Sequence, residues 1–172
     1  NHIEHHTIWF GKRYKDLLSD IFNHKILAED FSLYLHRPTA TDPSFAPDNC
    51  DSFYVLAPVP NLQASINWDK EGPKLRSRII KALDETIMPG LARSIKVDFY
   101  KTPVDFHHDY CSVYGAGFSI APLLSQSAWF RFHNKAEGIA NLYLVGAGTH
   151  PGAGLPGVLC SAKVVDNLIN PA

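Results

Sequence analysis

Five glycines fall within the twelve residues 146–157, in the run Gly146-Ala147-Gly148-Thr149-His150-Pro151-Gly152-Ala153-Gly154-Leu155-Pro156-Gly157. Without a Cβ the backbone can lie against a flat ring or a phosphate, and amides at a helix start attract anions. The loop therefore reads as a ligand-binding surface; a tight glycine turn packing a helix on a sheet is the competing reading. The string Gly152-x-Gly154-x-x-Gly157 matches the dinucleotide fingerprint literally. Six residues separate it from the preceding apolar run, however, and no acidic residue follows about 20 positions on to meet a ribose, so it is rejected as a primary ADP-binding fingerprint.

Other residues could in principle do chemistry. His2, His5 and His6 have a helical spacing that could hold a metal. No carboxylate or cysteine completes the set except Glu4, which would point elsewhere on a helix, so solvated imidazoles and no metal site are expected. His107-His108-Asp109 suggests acid–base work, yet adjacent residues do not converge on one point, and a loop or helix surface is the better reading. No Gly-x-Ser-x-Gly elbow supports a hydrolase. In Gln126-Ser127-Ala128-Trp129-Phe130-Arg131-Phe132-His133-Asn134 the aromatics beside Arg131 and His133 would pack against a flavin or an apolar substrate, or form core with a capping charge. Ile8, Trp9 and Phe10 beside Lys12, Arg13 and Lys15 suit a lipid headgroup boundary or an ordinary amphipathic helix.

These groups need elements to position them. Phe10, Tyr14, Leu17, Leu18, Ile21 and Phe22 recur at spacings of three and four and predict an amphipathic helix over 8–27. Alternation predicts strands over 31–36 and 95–100, and the run Ser52–Ala57, closed by Pro58 and Pro60, predicts another. Leu75, Ile79, Ile80, Leu83 and Ile87 predict a helix over 69–88, with Pro73 in its first turn and Pro89-Gly90 as its stop. Residues 141–145 read as a buried strand of a parallel sheet and 158–169 as a helix. Strand, glycine loop and helix in succession form a cofactor-site architecture. Small residues after Tyr110 suggest a change of domain near residue 110.

Composition narrows the classes. The 172 residues carry 16 Lys+Arg against 17 Asp+Glu, a formal net charge of −1, so nucleic acid is a poor partner. A hydrophobic content of 45% supplies ample core material and excludes disorder. No stretch approaches the ~18 uninterrupted apolar residues of a spanning helix. Cys50, Cys111 and Cys160 are odd in number and contain no CxxC pair, which fits a reducing cytoplasm better than a disulfide framework. The chain starts at Asn1 without a signal-peptide pattern and is expected to begin within a longer protein.

The run Asn141 to Gly157, with Gln126-Ser-Ala-Trp-Phe-Arg131 and His133-Asn134 ahead of it, closely resembles the C-terminal part of bacterial-type phytoene desaturases. Leu27-Ala-Glu-Asp-Phe-Ser-Leu-Tyr-Leu-His36, Thr41-Asp-Pro-Ser44 and Ser52-Phe-Tyr-Val-Leu-Ala-Pro-Val-Pro60 resemble the same family, so the likeness spans nearly the whole chain. Phe132 stands where that family is expected to show proline, and Cys160 where it shows a small residue.

The resemblance implies a mixed α/β fold: the C-terminal part of a two-domain FAD-dependent oxidoreductase related to the flavin amine oxidases. Residues 1–112 would be substrate-binding and membrane-associating structure, and 113–172 the last strand, loop and helix of a Rossmann-like FAD domain. The family's N-terminal βαβ unit is missing, so the chain is expected to cover roughly the last third of the enzyme and to be inactive alone. Dehydrogenation of phytoene to lycopene in carotenoid biosynthesis is implied, with FAD as cofactor and a quinone or oxygen reoxidising it. Matching motif to position, Gly146, Ala147, Gly148 and Thr149 would contact the ribityl or pyrophosphate region of FAD. Pro156, Gly157 and Val158 would lie near its ring, and Trp129 and Phe130 would form a flavin or polyene wall. Catalytic acid–base residues cannot be assigned. Phytoene resides in the bilayer, so a cytoplasmic, peripherally membrane-associated protein is expected. The alternatives are another carotenoid desaturase, a carotene isomerase or an amine oxidase of the same superfamily, or a non-enzymatic peripheral membrane-binding module.

Overall fold

The structure is a computed structural model that describes residues 3–121 and 123–171. Contacts divide the chain into two compact units, residues 1–105 and 106–172.

The first unit is organised on a three-stranded antiparallel sheet in the order β1 (His6–Trp9), β2 (Leu33–His36), β3 (Tyr54–Leu56). His6 stands opposite His36 and Trp9 opposite Leu33, and Tyr34 pairs Leu56 on the far side. Strand alternation sends Phe31, Leu33 and Leu35 to one face, where all three are buried. They pack with Trp68, Leu75 and Leu83 of helix α2 (Trp68–Glu85). Asn67 caps that helix, accepting from the Lys70 amide at 3.2 Å, and Asp69 and Glu71 complement its dipole. It therefore starts earlier than its sequence suggests, and Pro73 lies inside it rather than in the first turn. The left-handed Gly90 (φ 90°) turns the chain into the short helix α3 (Leu91–Ser94).

Two expectations for this unit are corrected. The helix over 8–27 is instead strand β1, then α1 (Tyr14–Ser19), continued as π-helix over Asp20–His24 and ended by left-handed Lys25. Gly11 explains the break: a Cβ there would lie 2.5 Å from the Phe31 carbonyl oxygen, so chain 10–11 passes flat against the strand and cannot coil. The strand over 95–100 has no ladder; Val97 and Phe99 are each 86% exposed, and Asp98 is held instead by Arg76 of α2 at 2.8 Å. Alternation supplies a pattern but not a partner.

Helix α4 (Pro103–Tyr110) runs through the junction, and Asp105 accepts from both the amide and the hydroxyl of Thr102. Those bonds hold the Asp105 carboxyl below its usual range. Among the described residues the second unit contains one long helix, α5 (Leu155–Ile169), and several single 3-10 turns. The buried parallel strand expected at 141–145 is not there. The segment makes a single isolated antiparallel bridge, Tyr143 with Lys135, and Leu142 and Val145 are exposed. A central parallel strand needs a neighbour on each side, and no such neighbours exist among the described residues. Among those residues Val165 is the only buried apolar side chain of the second unit. Cys50, Cys111 and Cys160 are free, exposed thiols.

Leu35 is fully buried at the centre of the sheet. Leu35→Ala is expected to cost about 2–5 kcal/mol, and Val97→Ala less than about 0.5 kcal/mol, as read by chemical denaturation of the full-length protein.

Candidate functional site

The glycine loop is shaped by buried polar side chains. Arg131, 6% exposed, donates from Nε to the Ala147 carbonyl at 3.0 Å and from Nη1 to the Gln126 carbonyl at 3.3 Å. Its aliphatic stem lies 3.7 Å from the position a Cβ on Gly152 would take, so one side chain touches both halves of the loop. Asn134, also buried, donates from Nδ2 to the Leu144 carbonyl at 3.1 Å and to Thr149 Oγ1 at 3.3 Å. Thr149 closes the turn by donating its hydroxyl and its amide to the Gly146 carbonyl. The His150 amide bonds the Phe132 carbonyl at 2.9 Å, and the His150–Pro151 peptide is cis.

Two contacts tie this turn to helix α5. Ser161, fully buried on the helix, accepts from the Gly146 amide at 2.9 Å and donates to the Val158 carbonyl. Gly157 sits so close to Gly152 that a Cβ would come within 2.5 Å of the Gly152 carbonyl oxygen. The two predicted groups, Gly146-Ala147-Gly148-Thr149 and Pro156-Gly157-Val158, are thus joined into one feature. Gly148 is confined from another side, since a Cβ there would meet Ser119 Oγ at 2.8 Å.

Elsewhere the loop is open. At Gly146 (φ 119°) and Gly154 (φ 89°) a Cβ would meet nothing within 4 Å, and no side chain caps the start of α5. The first-turn amides of a helix lack intrahelical partners, so an uncapped start beside two open glycines leaves donors and room for a flat or anionic group. Leu155 and Pro156 are exposed there. These open positions and the uncapped start would fit a flat or anionic group such as FAD, while the loop's buried polar groups are satisfied within the protein.

Trp129 and Phe130 lie in a 3-10 turn, 68% and 71% exposed, with the Trp129 ring 5.5 Å from His133 and 6.2 Å from His150. His133 pairs with Glu137 at 2.8 Å. The sequence leaves Arg131 open between a flavin or substrate contact and a capping charge, and gives Ser161 no role; a small hydroxyl residue one turn after Gly157 is the available signal. His107 and His108 are exposed on α4, and His107 Nδ1 lies 3.0 Å from the Ser112 carbonyl oxygen.

The N-terminal histidines do not take the helical arrangement expected of them. His2 lies outside the described residues, His6 opens strand β1, and His5 sits at a bend just before it. A third imidazole, His36 on β2, joins them, with His5 Nε2 and His36 Nε2 2.9 Å apart. Desolvation, then the neighbouring His6 and His36, hold the His5 imidazole below its usual range.

Comparison with known proteins gives the relationship. No family model matches the chain. A lycopene-forming phytoene desaturase of Pseudescherichia vulneris is 58% identical over 168 residues, 97% of this chain and 34% of that protein. This chain is homologous to part of a phytoene desaturase. A lycopene-forming phytoene desaturase of Pantoea ananas is 55% identical over the same share of each chain. A neurosporene-forming phytoene desaturase of Rhodobacter capsulatus is 48% identical over 97% of this chain and 32% of that protein. The chain spans about a third of the length of the curated relatives it matches.

The Gly152–Gly157 contact makes position 157 intolerant of any side chain. Gly157→Ala is expected to destabilise the loop and helix α5 by about 1–3 kcal/mol, measured by hydrogen exchange of the α5 amides in the full-length protein.

Proposed function

We propose that the full-length protein carrying this chain is an FAD-dependent, lycopene-forming phytoene desaturase, an oxidoreductase acting on CH–CH groups in carotenoid biosynthesis. The observation that carries the reading is the 58% identity to a lycopene-forming enzyme over 97% of the chain. The open glycine loop beside an uncapped helix start agrees with it. Residues 1–112 serve as substrate-binding and membrane-associating structure and 113–172 as the returning segment of a Rossmann-like FAD domain. The sparse core after residue 105 supports that division of labour, because a segment of that size with one buried apolar side chain needs further protein to cover its exposed Phe118, Leu124, Leu155 and Leu159.

FAD supplies the two-electron acceptor that an unactivated carbon chain requires and no side chain provides. The chain's own residues do the rest. Gly146, Ala147, Gly148 and Thr149 would hold the ribityl or pyrophosphate region, with Arg131 fixing the Ala147 peptide behind them. Pro156, Gly157 and Val158 would hold the ring end, with the partial positive charge of the α5 start favouring an electron-rich group there. Trp129 and Phe130 wall the flavin or the polyene and exclude water. A quinone or oxygen would serve as the electron acceptor of the full-length protein.

Phytoene must reach the site from a bilayer. No helix among the described residues is long and apolar enough to cross a membrane. Ile8, Phe10, Tyr14, Phe22 and Ile26 are all exposed close to Lys12, Lys15 and Lys25, a combination suited to a headgroup boundary and to peripheral association from the cytoplasmic side.

The test is the full-length protein supplied with FAD and phytoene-loaded liposomes, without nicotinamide, followed by absorbance of the extracted pigment. A coloured, multi-peaked polyene spectrum is expected. A colourless extract from folded, flavin-loaded protein would overturn the substrate, and folded protein that holds no flavin would overturn the cofactor and favour a membrane-binding module.

A further inference from the structure

We propose that His5, His6 and His36 form a binding site for one divalent transition-metal ion of the imidazole-preferring class, Zn2+ foremost, which clasps the edge strand β1 to β2. The reading departs from the sequence expectation of solvated imidazoles because the third ligand comes from 30 residues further along the chain.

The fold makes the convergence. Within a regular strand adjacent side chains point to opposite faces, but His5 lies at the bend before β1, so its ring centroid comes within 4.5 Å of that of His6. Antiparallel register sets His6 directly opposite His36, and their rings stack at 5.2 Å with an interplanar angle of 14°. One ring nitrogen from each of the three residues lies within 4.8 Å of the others. A tetrahedral zinc with N bonds of about 2.0–2.1 Å sets its ligand nitrogens about 3.3 Å apart. The spacings found, from 2.9 Å upward, bracket that figure, so ring rotations moving each nitrogen on the order of 1 Å suffice.

The surroundings are those of a ligand set. His5 Nδ1 contacts Thr41 Oγ1, and His6 Nδ1 contacts the Tyr34 hydroxyl at 2.7 Å. In the Nδ1–H tautomer each ring donates to its hydroxyl and keeps a lone pair on Nε2. An outer-shell acceptor on the far nitrogen is how metal-ligating histidines are oriented. The nearest guanidinium in sequence, Arg37, is paired through Nε and Nη2 with Asp51 at 3.0 and 3.1 Å, so its charge is compensated. His6 is exposed and the other two are half-buried, which gives an ion an entry path and leaves solvent for the remaining position.

Equilibrium dialysis of the chelator-stripped full-length protein against ZnCl2 is the test. One Zn2+ per chain is expected to be lost, with affinity falling at least about 10-fold, in His6→Gln and in His36→Gln. Tyr34→Phe, which keeps all three ligands, is expected to weaken binding about 10-fold, and His107→Gln to leave it unchanged. Peptide-resolved hydrogen exchange of the unsubstituted protein needs no variant: added Zn2+ should slow exchange over residues 3–12 and not over α4. Zinc binding that is identical in both histidine variants, or no protection of residues 3–12 at saturating Zn2+, would overturn the site.

Discussion

A guanidinium buried against a glycine loop is the contact on which the second unit depends. Arg131 takes the Ala147 carbonyl and presses its stem on Gly152, while Asn134 and Thr149 occupy the carbonyls of Leu144 and Gly146. Buried carbonyls left without donors would each cost about 1–3 kcal/mol, so these side chains hold a backbone path that neither a strand ladder nor an apolar core supplies. Because polar groups behind the loop are satisfied internally, its front is left with open glycine positions and the uncapped start of α5.

The first unit is built differently. Its shape follows from apolar burial: one face of β2 against one stripe of α2, with Trp9 and Leu27 packed at the margin. Polar contacts there sit at the edges, as in the Arg37–Asp51 pair and the imidazole cluster at the open side of β1. The contrast between a unit with a core and a unit with a polar lattice is what a piece of a larger enzyme would present, and it matches the one-third coverage of the relatives.

Much of this was legible in the sequence, for identifiable reasons. Alternation found β2 because Leu33 and Leu35 face the core, and an apolar run closed by Pro58 and Pro60 found β3. Apolar spacing and terminal signals found α2 and α5. The helix over 8–27 failed because Gly11 must pass flat against Phe31, a tertiary constraint that periodicity does not carry. The strand at 141–145 failed because its apolar run gains only an isolated bridge, Tyr143 with Lys135, and no ladder among the described residues. In the site, the glycine loop and the α5 start were visible from residue type, whereas Ser161 and the role of Arg131 were not, since both act through backbone groups distant in sequence. The imidazole cluster was half legible: His5 and His6 were noticed, and only strand register revealed His36.

The central claim is that the 146–158 loop is where flavin is held. Flavin content of purified full-length Pro156→Glu tests it most directly. Position 156 is exposed in the first turn of α5, where an acidic side chain suits the helix dipole and spares the fold, yet places a negative charge and bulk where the electron-rich ring edge would lie. The account predicts a folded protein of unchanged stability that loses most of its flavin, with the flavin Kd raised at least about 10-fold, which is at least about 1.4 kcal/mol of binding. Full flavin content in that variant would contradict it.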